Sequence, residues 1–285
     1  MTPAVVLDLA ARKPAGSISP IDFATIAEVV HRRSGIVLGA DKAYLVEARL
    51  EPILRRRGLP SLGALSARLR QRADDDLACD VIDAMTTNET LFFRDARPFE
   101  HLRMHALPML QASRPGRPLR IWSAASSSGQ EPYSIALSVL DAPRGSRPVQ
   151  ILGTDISDEQ IARARRGVYS DFEVSRGLAP DTLARHFTRG PGTWQISDAI
   201  RRMVEFRVWN LMDDAGPLGS FDVVFCRNVL FYFDVETKRR VLKTIAERLL
   251  PGGLLYLGGA ETIYGVSDRF APVSGTTQAY KAIQP

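Results

Sequence analysis

Residues 120–137 read RIWSAASSSGQEPYSIAL, and this stretch begins like a strand and ends like a helix. The residues that join the two, from Ala124 to Gly129, carry no side chain larger than a hydroxyl-bearing serine. Small residues let a ligand approach the backbone closely, and the first turn of a helix offers N–H groups that have no partner within the helix. The stretch therefore predicts a strand–turn–helix unit whose turn binds a ligand.

Downstream of residue 115 the sequence alternates between short β-rich runs and helical runs. We expect strands at Leu119–Ala124, Val149–Thr154, Val204–Val208, Phe221–Cys226, Leu254–Gly259 and Gln278–Ile283. We expect helices at Pro132–Leu140, Asp158–Arg166 and Val235–Leu250. Strands separated by helices are joined by right-handed crossovers, which predicts an α/β domain with a parallel, doubly wound sheet. Residues 167–202 break this rhythm with glycine, proline and aromatic residues, and we interpret them as an inserted subdomain.

The first 85 residues differ from the rest, because no segment in them alternates like a strand for long. A helical pattern begins at Ser19, a good N-cap residue, with Pro20 in the first turn. Phe23, Ile26 and Val30 then fall on one face of the expected helix. The predicted domains are a flexible tail over residues 1–18, an all-α N-terminal domain over residues 19–90 and an α/β domain over residues 91–285.

The composition is that of an ordinary globular protein, with 45% apolar and 24% charged side chains in 285 residues. Cys79 and Cys226 are the two cysteines. They form neither a disulfide framework nor a zinc-binding spacing, which favours a reducing cytoplasm. No basic leader precedes the first apolar residues, and no apolar run approaches the ~20 residues of a membrane-spanning helix. We therefore expect a cytoplasmic protein without membrane insertion, with a monomer as the default state.

Positive charge is concentrated near the N-terminus. The chain carries a net charge of +5, and residues 31–72 alone contain ten basic and three acidic side chains. A basic surface of this kind favours an acidic partner, which could be nucleic acid, a membrane surface or an acidic protein helix. A solvated helix surface explains the same residues equally well.

The turn after the first strand does not have the pattern of a dinucleotide-binding loop. Such loops carry three glycines, whereas this turn has only Gly129. Glu131 would repel a pyrophosphate and attract a sulfonium or ammonium group, which favours S-adenosylmethionine over NAD, although a carboxylate there also stabilises the helix N-terminus. Asp155 ends the second strand, where nucleotide-binding sheets bind ribose hydroxyls. An isolated aspartate at that position would more often cap a helix.

Polar groups also follow the strand expected at Phe221–Cys226. Arg227 and Asn228 come directly after it, and Tyr232 lies about one helical turn later. These residues suit substrate positioning, whereas a simple core role for Tyr232 is the alternative. In the segment MTTNETLFFRD, residues 85–95, Arg94 stands beside two phenylalanines and could bind a carboxylate through two hydrogen bonds.

Taken together, these stretches resemble the CheR family, the chemotaxis receptor glutamate methyltransferases. The matching pieces run in order over residues 20–285 and are TTNETLFFRD, RIWSAASSSGQEPYSIAL, GTDIS, FRVWNL, CRNVLFYFD and LLPGGLLYLGGAET. The resemblance implies a helical N-terminal domain joined to a Rossmann-like, S-adenosylmethionine-dependent methyltransferase domain with a small inserted antiparallel β-subdomain. The division into domains that the residue pattern predicts is the same.

The resemblance also implies site residues. Those expected to contact S-adenosylmethionine are Asn88, Thr90, Arg94, Glu131, Asp155, Asn210, Leu211, Cys226 and Arg227. Arg94 and Tyr232 are expected nearest the transferred methyl group, as catalytic residues. The family usually has two consecutive acidic residues before the proline, and this chain has Gln130 and Glu131 there. We assign the ligand-binding role to Glu131.

The implied reaction is methyl transfer to glutamate side chains of chemoreceptors, which leaves S-adenosylhomocysteine. The basic N-terminal segment would then hold the glutamate-rich methylation helices of the receptor, with Arg49, Arg55 and Arg56 as the expected docking residues. Three alternatives are a non-catalytic, cofactor-binding adaptor on receptor arrays, a nucleic-acid methyltransferase and an NAD-dependent oxidoreductase. We expect no metal, since His101 and His105, four residues apart, lack a third ligand in the sequence pattern.

Overall fold

A computed structural model describes residues 18–71, 75–114, 116–142, 148–276 and 278–283. The tail that we predict over residues 1–18 lies outside these ranges except for Ile18. The described residues form two compact units. Among the described residues, the first unit contains residues 18–31 and Leu38–Met85, and the second contains Arg32–Val37 and the residues from 86 onward.

The first unit is all-helical. Its helices are α1 (Pro20–Ser34), α2 (Ala43–Arg57), α3 (Leu62–Arg70) and α4 (Asp75–Met85), and the last residues of α1 belong to the second unit. The hydroxyl of Ser19 accepts the N–H of Asp22 at 3.1 Å, as expected of an N-cap. Val46, Leu50 and Ile53 lie on one face of α2 and are buried, which gives the unit its core.

The second unit is built on a seven-stranded sheet with the strand order β6-β2-β1-β7-β8-β10-β9. Its strands are β1 (Leu119–Ala124), β2 (Val149–Asp155), β6 (Val204–Val208), β7 (Phe221–Cys226), β8 (Leu249–Leu257), β9 (Phe270–Pro272) and β10 (Ala279–Ala282). The first five of these are parallel, and β10 is antiparallel to both of its neighbours. The prediction of a wholly parallel sheet was therefore wrong for the last strand. The described residues between β8 and β10 form no helix, so the chain has no crossover there and returns antiparallel.

Helices cover the sheet, and an insertion follows β2 and its helix. The helices are α5 (Arg97–His101), α6 (Leu107–Ser113), α7 (Gln130–Leu140), α8 (Asp158–Arg166), α9 (Asp171–Ser175), α10 (Pro180–His186), α11 (Asp198–Arg201) and α12 (Val235–Arg248). The insertion contains a separate antiparallel sheet in the order β3-β5-β4, formed by β3 (Val168–Ser170), β4 (Phe187–Gly190) and β5 (Thr193–Ile196). The predicted fold class is confirmed. Among the described residues, no helix has both the length and the apolar character needed to cross a membrane.

The register of the sheet brings the ends of its central strands to one edge. Ala124 at the end of β1 is paired with Thr154 on one side and Cys226 on the other. Cys226 is paired in turn with Leu257 of β8. The strand order also reverses at β1, because the chain builds outward to β2 and β6 and then returns to place β7 on the other side of β1. Ligands of doubly wound sheets bind at such a switch point, beyond the carboxyl ends of the strands.

Candidate active site

A cleft opens in the second unit at this switch point. It contains about 880 Å³ of space, counting the part that is open to solvent. The residues expected to bind the cofactor or to be catalytic that line it are Asn88, Thr90, Arg94, Glu131, Asp155, Asn210, Leu211, Arg227 and Tyr232. Residues far apart in the chain therefore meet in one place.

Four of the expected functional residues are not among those that line the cleft. Cys226 is fully buried at the end of β7, and burial raises the pKa of its thiol. Arg49, Arg55 and Arg56 all lie on α2 of the first unit. Arg49 donates hydrogen bonds to the carbonyls of Ala84 and Met85, at 3.3 and 3.0 Å, which end α4. Arg55 and Arg56 are exposed.

Asp155 joins the ends of β1 and β2. Its carboxylate accepts the N–H of Ser127 at 2.7 Å and the N–H of Ser157 at 3.0 Å. Burial raises the pKa of this carboxyl group, and the backbone hydrogen bonds partly oppose that shift. Because one face of the carboxylate still borders the cleft, its oxygens can accept hydrogen bonds from ligand hydroxyls.

Glu131 is a second buried acid that lines the cleft, and Arg227 forms an ion pair with it. One guanidinium nitrogen of Arg227 lies 2.9 Å from a Glu131 oxygen, and the other Glu131 oxygen accepts the hydroxyl of Ser123 at 2.7 Å. The side chain of Arg227 is only 1% exposed. Burial raises the pKa of Glu131, and the charge of Arg227 opposes this shift. The ion pair therefore fixes the start of α7 to the end of β7.

Arg227 also anchors the loop that carries Arg94. A second guanidinium nitrogen donates to the carbonyl of Arg94 at 2.7 Å and to the carboxylate of Asp95 at 2.9 Å. The Arg94 side chain donates to the carbonyl of Glu89 at 3.0 Å. The guanidinium of Arg227 thus contacts the protein on several sides, and it connects the acidic side of the cleft with the Arg94 loop.

Left-handed backbone conformations are concentrated around this cleft. The non-glycine residues with positive φ among those described are Phe93, Asp95, Ala125, Ser127 and Asn228. The last three line the cleft or adjoin its lining, and the first two flank Arg94. Each such residue costs of order 1–3 kcal/mol and persists where surrounding contacts hold it, often at functional sites. The backbone geometry thus independently marks the cleft as a site.

Gln130 is the position where the chain departs from the usual pattern of two acids. Its side chain accepts the hydroxyl of Ser128 at 2.9 Å and donates to Glu173 at 3.3 Å. Glu173 belongs to α9 of the insertion and also pairs with Arg163 at 2.6 Å. Gln130 therefore faces the insertion, whereas Glu131 lines the cleft.

Several residues of the cleft were missed in the sequence. Ser34 and Ile36 line it, and Ile36 forms an isolated antiparallel bridge with Phe233. No local pattern near residue 36 could have indicated this pairing across about two hundred residues. Trp209 carried a weak signal, because it directly follows the strand expected at Val204–Val208. Its side chain lines the cleft.

The groups that line the cleft fit S-adenosylmethionine. The N–H of the Trp209 indole is buried and has no hydrogen-bond partner among the described residues, so it is a free donor beside the cleft. Asp155 supplies acceptors for hydroxyl groups, and the carboxylate of Glu131 supplies an acceptor for an ammonium group. Ala125 lines the cleft with a side chain no larger than a methyl group, so that a flat ring can approach its backbone. A pyrophosphate, by contrast, would meet two carboxylates.

Comparison with known proteins agrees with this geometry. Residues 21–86 match the family model described as "CheR methyltransferase, all-alpha domain", and residues 88–279 match "CheR methyltransferase, SAM binding domain". Chemotaxis protein methyltransferase 1 of Pseudomonas aeruginosa is 44% identical over 90% of this chain and 96% of its own length. Chemotaxis protein methyltransferase Cher2 of Pseudomonas putida is 42% identical over the same shares of the two chains. A chemotaxis protein methyltransferase of Vibrio parahaemolyticus is 43% identical over 90% of this chain and 94% of its own. The chain therefore belongs to the CheR methyltransferase family.

Proposed function

We propose that this protein transfers the methyl group of S-adenosylmethionine to glutamate side chains of chemoreceptors, as a protein-glutamate O-methyltransferase. The observation that carries the proposal is that one cleft holds two kinds of groups. Glu131 and Asp155 provide carboxylate acceptors for the ammonium and hydroxyl groups of the cofactor, and Arg94 and Tyr232 provide a cation and a phenol for an acceptor carboxylate. A family of methyltransferases that includes chemotaxis proteins supports the same assignment.

In this proposal the cofactor binds to residues that follow β1, β2 and β6 and to residues that precede β1. In the proposal, Asp155 accepts hydrogen bonds from the ribose hydroxyls, Glu131 favours the cationic end, and Asn88, Thr90 and Leu211 complete the lining. When bound, S-adenosylmethionine supplies an electrophilic methyl group, whose bond to sulfur breaks with the electron pair left on sulfur as the acceptor oxygen bonds to carbon. Asn210 is held by the N–H of Met212 at 3.0 Å, which fixes this part of the wall.

The acceptor carboxylate must be aligned with the methyl group, but it needs no general base. A glutamate carboxylate is already ionised near neutral pH, because its ordinary pKa is about 4.3. The protein must orient an oxygen of that carboxylate toward the methyl carbon and exclude water. Arg94 suits the first task, since a guanidinium binds a carboxylate in a fixed orientation. Tyr232 is half-buried and lines the cleft. In the proposal its phenol lies beside the acceptor carboxylate.

Transfer of a radiolabelled methyl group tests the proposal. The purified protein is incubated with labelled S-adenosylmethionine and a receptor cytoplasmic fragment, and release of the label by mild base is measured. Base-labile label on the receptor is expected, because a glutamyl methyl ester hydrolyses readily. Normal binding of the cofactor by calorimetry with no label on the receptor would favour the adaptor alternative.

The Tyr232→Phe substitution separates positioning from cofactor binding. We expect kcat to fall about 10- to 100-fold, because a misplaced acceptor loses part of the gain from alignment. The Kd for S-adenosylhomocysteine should change less than about threefold, since that ligand carries no methyl group and no acceptor. An equal loss of binding and of rate would show that Tyr232 acts mainly on the cofactor.

Reversing Arg55 and Arg56 to glutamate tests whether α2 docks the receptor. Arg55 pairs with Glu51 at 2.8 Å and Arg56 with Asp80 at 2.7 Å, and both side chains are exposed. We expect KM for the receptor fragment to rise about tenfold at low salt, while KM for S-adenosylmethionine stays unchanged. The difference should shrink with added salt, because exposed charges are screened.

Arg49 is left out of this double variant, because its bonds to the end of α4 mean that reversal would damage the helix itself. Reversal of Arg68 and Arg70 on α3 is the matched control, with the same change of charge in the same unit. If both pairs raise KM equally, overall charge rather than the face of α2 attracts the receptor.

A further inference from the structure

Glu261 accepts four backbone hydrogen bonds, two of them from residues that line the cleft. One of its oxygens accepts the N–H groups of Val229 and Leu230 at 2.9 and 2.7 Å. The other accepts the N–H groups of Asn228 and Gly258, each at 2.8 Å. A single carboxylate thus ties the end of β8 to three consecutive peptides after β7. Hydrogen bonds to an ionised acceptor are about twice as strong as neutral ones.

Two of the residues whose N–H groups bind Glu261, Val229 and Leu230, also accept backbone hydrogen bonds from the residues at 232 and 233. The N–H of Tyr232 donates to the carbonyl of Val229 at 3.1 Å, and the N–H of Phe233 donates to the carbonyl of Leu230 at 3.0 Å. Asn228 has a φ of 59°, a left-handed conformation that needs outside support. Glu261 accepts the N–H of Asn228 and so helps to hold the backbone that leads to Tyr232.

The space around Gly258 is too small for a side chain. A methyl group at residue 258 would lie 2.7 Å from the side-chain nitrogen of Asn228 and 2.8 Å from an oxygen of Glu261. It would also lie 3.0 Å from the backbone nitrogen of Asn228. A side chain at residue 258 would therefore displace the carboxylate or Asn228, and glycine is required directly after β8.

We propose that Glu261 is a positioning residue for methyl transfer: its carboxylate sets the geometry of Asn228–Leu230 and thereby places Tyr232 against the acceptor. Glu261 itself is not among the residues that line the cleft, so it acts through the peptides it binds. The inference rests on the proposed function in one respect, namely that Tyr232 lies beside the acceptor carboxylate.

The test compares Glu261→Gln with the wild-type protein by amide hydrogen exchange, by calorimetry with S-adenosylhomocysteine and by methyl transfer. Glutamine keeps the shape but turns an NH₂ group toward two N–H donors. We expect exchange at the amides of 228–230 and 258 to speed up at least tenfold, while β1 is unaffected. We expect kcat to fall about 100-fold, with the Kd for S-adenosylhomocysteine changed less than threefold.

Two further variants complete the design. Gly258→Ala should reproduce the pattern of Glu261→Gln, because its methyl group displaces the same carboxylate. Asp234→Asn is the matched control, since Asp234 caps α12 by accepting the N–H of Thr237 at 2.7 Å and asparagine caps equally well. This control removes one negative charge from the same region and should keep kcat within twofold of wild type.

The outcomes separate the inference from the proposed function. Unchanged exchange at the four amides, or a uniform loss of kcat, cofactor binding and thermal stability, would overturn the positioning role. If the wild-type protein binds S-adenosylhomocysteine but methylates no receptor, the proposed function fails. The exchange data then still decide whether Glu261 fixes these peptides.

Discussion

Replacing Arg227 with methionine is expected to lower the free energy of unfolding by about 3–5 kcal/mol and to abolish methyl transfer. The substitution leaves the carboxylate of Glu131 buried without its cation, 2.9 Å from where the guanidinium stood. It also releases the carbonyl of Arg94 and the carboxylate of Asp95. Urea unfolding monitored by circular dichroism measures the first effect, and the labelled-methyl assay measures the second.

A double variant shows whether the uncompensated charge is the cause. Adding Glu131→Gln to Arg227→Met should restore part of the lost stability but none of the activity, because the neutral amide needs no cation. Arg239→Met is the control, since Arg239 is exposed and lies 3.7 Å from Glu236 in a surface pair. That change should stay within about 0.5 kcal/mol of wild type. Strictly additive losses in the double variant would contradict the explanation.

The Asp155→Asn substitution is expected to weaken binding of S-adenosylhomocysteine about 100-fold. An amide offers one acceptor oxygen where the carboxylate offers two, and its NH₂ group would face the N–H of Ser127 or Ser157. Calorimetry measures the loss. Asp158→Asn, three residues later in the exposed first turn of α8, is the control and should bind normally.

Acidification should have the same effect on the wild-type protein. Burial raises the pKa of Asp155, so the carboxylate is protonated at a higher pH than an ordinary aspartate, whose pKa is about 3.9. Affinity for S-adenosylhomocysteine should therefore fall as the pH is lowered, beginning above that value. The pKa of Glu131, which also lines the cleft, is raised as well, so the Asp155→Asn protein should keep only the smaller part of the pH-dependence that Glu131 causes. A pH-dependence that survives the substitution undiminished would assign the titration to Glu131.

The elements whose structure depends on residues close together in the sequence were predictable. The turn between β1 and α7 combines an apolar strand, small residues and a helix start within eighteen residues, and α8 was expected at the bounds it has. The antiparallel return of β10 was not predicted, since a strand carries no mark of its direction. The pairing of Ile36 with Phe233 was also hidden, because it depends on long-range folding.

For the site, the types of residue were easier to find than the roles of their side chains. Arg227 was expected to contact the cofactor; it lines the cleft, and its guanidinium also binds Glu131, Asp95 and a carbonyl, which the sequence did not show. Cys226 lies in a strand that is buried on both faces, so alternation could not tell which side chains reach the cleft. Glu261 was part of a matching stretch, but only the folded chain brings its carboxylate to four amides.

The left-handed residues around the cleft have a consequence for laboratory evolution. Glycine adopts positive φ without the clash of a Cβ atom, so replacing Ser127 or Asn228 with glycine would relieve strain. A library screened for heat resistance alone would accumulate such changes at this cleft. The same changes would loosen the backbone that orients the reacting groups. Selection for heat resistance and selection for turnover would therefore enrich opposite sequences at these positions.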